Sequence, residues 1–310
     1  MDELNNNPTR ILLTGANGFL GQKCTDLIVQ HTNFELCCTS QSPQKNPNKN
    51  GYAFVQLDLL DQPALEHLIK SFKPTHIIHC AAMTSVEACE ANPELCDRLN
   101  VQLPAQLAAL SKIDNIHLCF LSTDFVFDGQ QGPYKETAAC NPCNAYGLSK
   151  LNAERAIAYS GCRYAILRTI LVYGVIADKN RSNLVLWAKN KLEAGEQIKV
   201  VSDQWRMPTW VDDLAQACLL VVKTSAEGIY HISSEKRYSI LEAVYEVADY
   251  WKLDKNLIQS IKAGEIGQEN NRPKETGFIL EKAKKDLGFQ PTSFKESLPI
   301  IDQQIKDLTH

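Results

Sequence analysis

Two absences narrow the possibilities before any motif is considered. The 310-residue sequence has no apolar run approaching the roughly 18 to 20 residues of a membrane-spanning helix. It also lacks a basic excess, because 32 Lys and Arg face 36 Asp and Glu, for a formal net charge of −4. This balance gives no electrostatic case for nucleic acid or for an anionic membrane surface. Since Met1 to Arg10 is polar, we expect a cytoplasmic protein whose partners are small molecules.

Metal-binding patterns are scarce as well, although the sequence contains 11 cysteines. Cys140 and Cys143 form the one Cys-x-x-Cys pair, and zinc would need two more ligands at suitable spacing, which the neighbouring sequence does not offer. The other cysteines are scattered among apolar segments, and we interpret most of them as small buried side chains. We therefore expect no metal at the functional site.

The first half of the sequence alternates short apolar runs with amphipathic stretches, the pattern of a parallel sheet with helices between its strands. Strands are predicted at Arg10–Thr14, Phe34–Thr39, Ala53–Leu57, His76–Cys80, His117–Ser122 and Tyr164–Arg168. Helices are predicted at Gln22–Gln30, Pro63–Ser71, Pro93–Ser111 and Tyr146–Ser160. The expected fold is α/β, a doubly wound parallel (Rossmann) sheet with its ligand crevice at the carboxyl ends of the strands.

The regular alternation stops after Tyr173-Gly174. The later pattern predicts a helix at Leu184–Leu192, a strand at Ile198–Val201, a helix at Trp210–Val222, a strand at Gly228–Ser233, and helical, charged sequence from Arg237 onward. We interpret residues 1–174 and 209–233 as a dinucleotide-binding Rossmann domain. Residues 175–208 and 234–310 are interpreted as a smaller, interleaved C-terminal α/β domain that binds the substrate.

A glycine-rich segment follows the first predicted strand. Gly15, Gly18 and Gly21 are spaced so that the backbone turns tightly, approaches a phosphate and lets the next helix pack on the sheet. A pyrophosphate at that helix N-terminus is the expected ligand. The residues predicted to bind the dinucleotide are Gly15, Asn17, Gly18, Phe19, Leu20 and Gly21, then Ser40, Asp58, Leu59, Ala81, Ala82 and Thr84 after later strands, and Tyr146 and Lys150.

The end of the second strand governs the choice of dinucleotide. A carboxylate there accepts hydrogen bonds from the adenosine ribose, whereas a basic residue favours a 2′-phosphate. This sequence has Thr39-Ser40-Gln41 at that point, and Glu35 falls inside the strand. Without a carboxylate NADP is tolerated, and without an arginine it is not strongly selected. The cofactor is therefore predicted to be NADP or NAD, with a slight preference for NADP.

Tyr146 and Lys150 are four residues apart on a predicted helix and so share one face. An ammonium beside a phenol favours the deprotonated form, which lowers the pKa of the tyrosine and makes it an acid/base group. Thr123 follows the fifth predicted strand and is placed to hydrogen-bond a substrate oxygen that Tyr146 protonates. Thr123, Tyr146 and Lys150 are the predicted catalytic residues, and the predicted chemistry is hydride transfer at a carbonyl.

These motifs, with Ala81-Ala82-Met83-Thr84, resemble the extended short-chain dehydrogenase/reductase family. Within it, residues 122–129, residues 203–210 and Arg272-Pro273 are similar to dTDP-4-dehydrorhamnose reductases. The resemblance implies reduction of the 4-keto group of a nucleotide-linked deoxysugar, with Tyr146 as general acid, Thr123 polarising the carbonyl, and Lys150 orienting the nicotinamide ribose. It also implies a homodimer as one expected assembly. The substrate residues predicted with it are Thr84, Asp124, Val126, Asn183, Trp205, Arg206 and Arg272.

Other functions within and outside this family remain open at the sequence level. A nucleotide-sugar 4,6-dehydratase ranks low, because it needs an Asp-Glu pair where this sequence has Asp124-Phe125. A nucleotide-sugar 4-epimerase needs the same tyrosine, and the regulatory subunit of methionine adenosyltransferase, a non-catalytic NADP-binding protein, resembles the same reductases. Arg206 stands where the family often carries a small residue, so a different head group or a phosphate is a further alternative.

Overall fold

The computed structural model describes residues 8–178, 182–268 and 271–308. In these residues the strands are β1 Arg10–Thr14, β2 Glu35–Ser40, β3 Ala53–Gln56, β4 His76–His79, β5 His117–Thr123, β6 Arg163–Thr169, β7 Val172–Tyr173, β8 Ile198–Val201, β9 Trp205–Arg206, β10 Thr209–Trp210, β11 Gly228–Ile232, β12 Tyr238–Ser239 and β13 Ile258–Ile261. The α-helices are α1 Phe19–His31, α2 Gln62–Phe72, α3 Val86–Ala91, α4 Pro93–Asp97, α5 Leu103–Ile113, α6 Ala145–Ser160, α7 Leu184–Glu193, α8 Val211–Thr224, α9 Ile240–Trp251, α10 Glu281–Leu287 and α11 Phe294–Asp307.

A parallel sheet of seven strands organises the described chain, in the order β11-β6-β5-β4-β1-β2-β3. The direction of winding reverses between β1 and β4, which are neighbours in the sheet but are separated in sequence by β2 and β3. This confirms the predicted doubly wound sheet. Ligands of such sheets bind at the reversal point, outside the carboxyl ends of the strands.

Apolar layers cover both faces of this sheet, which explains why its strands are almost continuously apolar. Along β1 the side chains alternate, so that Ile11 and Leu13 join the cluster that includes α1 and α8, while Leu12 joins the opposite cluster that includes α2, α5 and α6. All three are fully buried. The two layers fix the carboxyl ends of β1, β4 and β5 side by side.

The predicted helix Pro93–Ser111 is not a regular α-helix. A π-helical segment, Arg98–Gln102, separates α4 from α5. Within it, the buried Asn100 side chain accepts a hydrogen bond from the Met83 N–H at 2.9 Å and donates to the Met83 carbonyl at 2.9 Å and to the Ser149 hydroxyl at 3.0 Å. The wider turn thus lets one amide join the loop after β4 to α6, a feature that apolar periodicity does not reveal.

The C-terminal elements build a separate apolar cluster from α7, α9, α11 and β8. β13 was not predicted; it pairs in parallel with β8, inside sequence that was expected to be helical. β11 returns to the main sheet beside β6. The assignment of residues 1–174 and 209–233 to one domain and of the remainder to another stays a prediction. None of the helices in the described ranges combines the length and apolar character that crossing a membrane requires.

Candidate active site

A cavity of about 880 Å³ opens at the carboxyl ends of the central strands, between the main sheet and the C-terminal elements. The predicted residues on its wall are Gly15, Asn17, Gly18, Phe19, Leu20, Ser40, Asp58, Leu59, Ala81, Ala82, Thr84, Thr123, Asp124, Tyr146, Lys150, Asn183, Arg206 and Arg272. Gly21, Val126 and Trp205 are the three predicted residues that lie off this wall. One cavity therefore brings together residues from almost the whole length of the sequence.

The glycine-rich turn packs its backbone too closely for side chains at Gly15 and Gly18. Gly15 has φ +70°, and a Cβ there would lie 2.7 Å from the Ala81 backbone nitrogen. A Cβ on Gly18 would lie 2.9 Å from the Gly15 carbonyl oxygen. Gly18 caps α1 without a side-chain hydrogen bond, so the first N–H groups of this helix are available to an anion. Gly21 instead packs α1 against the Gly15 carbonyl, which is a structural role and not a cavity contact.

Asn17 lies on the cavity wall, but its side chain is engaged by the loop after β2. The amide nitrogen donates to the Ser42 carbonyl at 3.1 Å, the Ser42 hydroxyl at 2.9 Å and the Pro43 carbonyl at 2.8 Å, and the amide oxygen accepts from the Lys45 N–H at 2.9 Å. Through this loop Ser42 and Lys45 reach the cavity wall. Sequence reasoning missed both, because the loop from Ser42 to Gly51 reads only as polar sequence without secondary structure.

Thr123 and Tyr146 are brought together by a side-chain cap and by a close approach of two backbone segments. Thr123 ends β5, and Asn144 caps α6 by accepting a hydrogen bond from the Gly147 N–H at 2.7 Å. A Cβ on Gly147 would overlap the Phe125 carbonyl oxygen, so only glycine lets α6 begin this close to the turn after β5. The Phe125 ring then meets the Tyr146 ring edge to face, with centroids 6.0 Å apart. The phenol therefore faces the cavity between Thr123 and an apolar wall.

The expected lowering of the Tyr146 pKa by Lys150 is wrong for this structure. Burial raises the pKa of Tyr146, and the neighbouring Thr123 hydroxyl lowers it only in part. The Lys150 ammonium instead lies over the Phe120 ring, 4.1 Å from its centroid. Burial lowers the pKa of Lys150 to about 8, while Glu154 opposes this change. The site thus holds a protonated phenol, the form that can donate a proton.

A buried ion pair lies behind these residues. Glu154 is one helical turn beyond Lys150 on α6, and its carboxylate accepts hydrogen bonds from Arg168 at 2.9 and 2.6 Å and from the Ser122 hydroxyl at 2.5 Å. Glu154 and Arg168 have side-chain exposures of only 4% and 3%. Ser122 directly precedes Thr123, so this pair ties the end of β5 to α6 and to β6.

Asp124 and Arg206 form a second polar contact on the cavity wall. Asp124 follows β5 of the main sheet, and Arg206 lies in β9. The Thr276 hydroxyl donates to Asp124 at 2.5 Å, and Arg206 Nε lies 3.8 Å from the same carboxylate oxygen. The other Arg206 nitrogens donate to the carbonyls of Trp205, Pro273 and Lys274. Burial raises the pKa of Asp124, against the lowering effects of Arg206 and Thr276. Arg206 therefore holds the 273–274 backbone, which disfavours the alternative that it is an open phosphate site.

Two predicted substrate residues lie away from the cavity for geometric reasons. The 3₁₀ turn Asp124–Val126 sends successive side chains in different directions, and Val126 is fully buried in an apolar cluster with Phe127. In β9 the side chains alternate, so Arg206 faces the cavity while Trp205 does not. The residue before it, Gln204, is on the wall instead. Strand alternation was the signal that could have identified Gln204.

The remaining predicted substrate residues border the cavity with other partners. Asn183 caps α7 by accepting from the Val185 and Leu186 N–H groups, and its amide donates to the Gly174 carbonyl at 2.9 Å. Arg272 pairs with Glu87 of α3. Ile240 and Gln268 also line the cavity and were missed, because neither belongs to a motif. Within the described ranges, no cluster of three or more His, Cys, Asp and Glu side chains is arranged to hold a metal ion.

The sheet and the glycine-rich turn define an extended short-chain dehydrogenase/reductase fold, and Thr123, Tyr146 and Lys150 lie together on the wall of its cavity. The chain belongs to the family described as the RmlD substrate binding domain, whose model matches residues 9–306.

Curated relatives of this chain include proteins with two kinds of name. The chain is 31% identical to methionine adenosyltransferase 2 subunit beta of Xenopus tropicalis, over 83% of this chain and 77% of the relative. It is 30% identical to the dTDP-4-dehydrorhamnose reductase of Aggregatibacter actinomycetemcomitans, over 94% of this chain and 98% of the relative. The dTDP-4-dehydrorhamnose reductase of Bacillus anthracis, solved in complex with NADP, superposes with a TM-score of 0.81 at 27% identity, covering 96% of this chain and all of that one.

Proposed function

We propose that this chain is an NAD(P)H-dependent reductase of the 4-keto group of a nucleotide-linked deoxysugar. The observation that carries the proposal is the position of the Tyr146 phenol beside Thr123, on the wall of the cavity that the glycine-rich turn also borders. A family relative named dTDP-4-dehydrorhamnose reductase, aligned over 98% of its own length, supports the same substrate class. Homodimer formation and cytoplasmic location stay predictions.

Each catalytic residue has a task that follows from its surroundings. Bound NAD(P)H supplies the hydride. As negative charge develops on the carbonyl oxygen, Tyr146 donates its proton, and its raised pKa keeps the phenol protonated at neutral pH. The Thr123 hydroxyl, which donates to Asp124 at 3.2 Å in this structure, would turn to donate its hydrogen bond to the same oxygen. Lys150, whose side chain is buried and reaches the same cavity wall, would orient the nicotinamide ribose.

The composition of the wall disfavours dehydration. A dehydratase needs a second carboxylate after Asp124, and the structure has the Phe125 ring there, packed against Tyr146. Asp124 itself accepts a hydrogen bond from Thr276 and faces Arg206, so it is held in place by its partners. The site therefore offers one proton donor next to the reacting carbonyl, which suits reduction.

A panel of 4-keto nucleotide sugars, tested with NADPH and NADH, examines this function. We expect NAD(P)H oxidation with at least one dTDP-linked 4-keto-6-deoxysugar, measured as the loss of the reduced nicotinamide absorbance. A 4-epimerase would instead retain its NAD through dialysis and interconvert sugars without net oxidation. If neither reaction occurs while both cofactors bind, the proposed enzyme function is contradicted.

A regulatory role is the second candidate, favoured by the 31% identity to methionine adenosyltransferase 2 subunit beta. The test is to add this chain to a purified methionine adenosyltransferase catalytic subunit and to measure its kinetics. A changed rate or KM, with no turnover across the sugar panel, would support this role. Turnover of a sugar with unchanged adenosyltransferase kinetics would reject it.

The activity should fall above pH 8 because Lys150 loses its charge. Burial lowers the pKa of Lys150 to about 8, so the ammonium is present below that pH and is lost as the pH rises through it. Since the pKa of Tyr146 is raised, the phenol cannot account for a limb near neutrality. We expect kcat/KM to fall about tenfold per pH unit above the pKa of Lys150. A kcat/KM that stays constant up to about two pH units above this pKa would contradict the role of Lys150.

A further inference from the structure

The cavity wall beyond β2 contains a cation that no motif includes. β2 ends at Ser40, and the wall continues through Gln41, Ser42 and Lys45. In a dinucleotide-binding sheet this edge receives the adenosine ribose. The nearby carboxylate, Asp58, accepts hydrogen bonds from the Gln41 amide at 3.2 Å and from the Leu60 N–H at 3.0 Å. A cation is therefore present at the edge where a 2′-phosphate would distinguish NADP from NAD.

The backbone on both sides of Lys45 is fixed by buried asparagines. Asn17, only 7% exposed, makes the four hydrogen bonds to residues 42–45 described above, including one from the Lys45 N–H. Asn46, only 4% exposed, donates to Asp26 of α1 at 2.8 Å. Lys45 is thus held at a defined position while 49% of its side chain stays exposed, which is an arrangement suited to contacting a ligand.

The Lys45 ammonium also has a carboxylate partner from a distant part of the sequence. Its Nζ lies 3.4 Å from Asp178 Oδ2, and Asp178 follows β7 in the sequence. A 2′-phosphate carries a charge of about −1.5 to −2 and three acceptor oxygens, compared with −1 for a carboxylate. Such a phosphate would compete with Asp178 for the same ammonium.

We infer that Lys45 selects NADP(H) over NAD(H) by binding the 2′-phosphate, and that Asp178 competes with this phosphate for Lys45. The inference rests on the part of the proposed function that assigns the cavity to a nicotinamide dinucleotide. It does not depend on the sugar. It adds a specificity residue that the end of β2, read as Thr39-Ser40-Gln41, does not provide.

Direct binding tests the inference without any sugar substrate. Dissociation constants are measured by calorimetry for NADPH, NADH and the fragments 2′,5′-ADP and 5′-AMP, on the full chain. For Lys45→Ala we expect NADPH and 2′,5′-ADP to bind about 10- to 30-fold more weakly, the usual loss for a charge-assisted hydrogen bond at a partly exposed site. NADH and 5′-AMP should change less than about twofold, because they lack the phosphate.

Three further variants separate charge from structure. Lys49→Ala is the matched control, since Lys49 is an exposed lysine of the same loop and lies off the cavity wall. Lys45→Arg should keep most of the preference for NADPH. Asp178→Asn should strengthen NADPH binding by about two- to fivefold and leave NADH unchanged, because it removes the competing carboxylate.

The outcomes that overturn the inference are distinct from those that overturn the reductase function. Equal weakening of NADPH and NADH in Lys45→Ala would mean that the residue only supports the loop. Unchanged NADPH binding would remove Lys45 from the phosphate site altogether. Binding of both dinucleotides without sugar turnover would contradict the reductase function and leave the inference on Lys45 intact.

Discussion

Tyr146→Phe should lower kcat by about a thousandfold, within the range of 10² to 10⁴ for loss of a positioned acid. The substitution removes the phenol hydroxyl beside Thr123 and keeps the ring that packs edge to face on Phe125. Dissociation constants for NADPH and NADH should stay within about twofold, because the ring and the cavity are retained. Steady-state kinetics with the active sugar and calorimetry with the cofactors give the two measurements.

The matched control is Tyr159→Phe, which removes a hydroxyl from the same helix at a position that is 88% exposed. Its kcat should equal that of the unmodified chain. Near-normal turnover in Tyr146→Phe would show that another group supplies the proton. A loss of cofactor binding parallel to the loss of rate would mean that the variant disturbs the cavity, and the role of Tyr146 as general acid would then have no support.

The main sheet could be predicted from the sequence because its signals are local. β1 begins and ends at the predicted residues, and β11, which falls within the predicted strand Gly228–Ser233, pairs with β6 in the main sheet. A buried parallel strand is apolar on both faces, so short apolar runs between helices identify it directly. The π-helical segment around Asn100 depends instead on a contact with Met83 and Ser149. β13 depends on pairing with β8, and no local pattern encodes either partner.

The candidate site likewise has features that local sequence predicts and features that depend on long-range contacts. The glycine spacing and the Tyr146–Lys150 pair were readable because the chemistry requires those residue types in sequence order. The pKa values of these residues could not be predicted in the same way. Burial raises the pKa of Tyr146, and burial is set by the whole fold. The position of Lys45 on the cavity wall depends on hydrogen bonds between its loop and Asn17 that span 25 to 28 residues. The position of Arg206 depends on hydrogen bonds to the backbone carbonyls of residues 273 and 274.

Breaking the buried Glu154–Arg168 pair should have the largest effect on folding. Arg168→Met leaves the Glu154 carboxylate, 4% exposed, with the Ser122 hydroxyl as its remaining side-chain hydrogen-bond donor among the described residues. We expect the free energy of unfolding to fall by about 3 to 5 kcal/mol, the usual cost of an uncompensated buried charge. Urea unfolding followed by circular dichroism measures this change.

A double-mutant cycle shows whether the loss comes from the charge or from packing. Glu154→Leu with Arg168→Met removes both charges, so the double variant should be more stable than the sum of the single losses predicts, by at least about 1 kcal/mol. The exposed pair Arg163–Glu227 is the control, with side-chain exposures of 42% and 54%, and Arg163→Met should cost less than about 0.5 kcal/mol. If the stability losses of the two single variants simply add up in the double variant, the Glu154 and Arg168 charges do not stabilise each other.

The same pair links folding to the chemistry of the site through Lys150. Glu154 is the nearby negative charge that keeps the pKa of Lys150 from falling further, so Glu154→Gln should make the ammonium lose its proton at lower pH. The alkaline limb of kcat/KM, expected near pH 8 in the unmodified chain, should then move toward neutrality. A merely structural role for Glu154 would lower stability and leave the limb in place, because loss of folded protein changes the amplitude of the profile and not its midpoint.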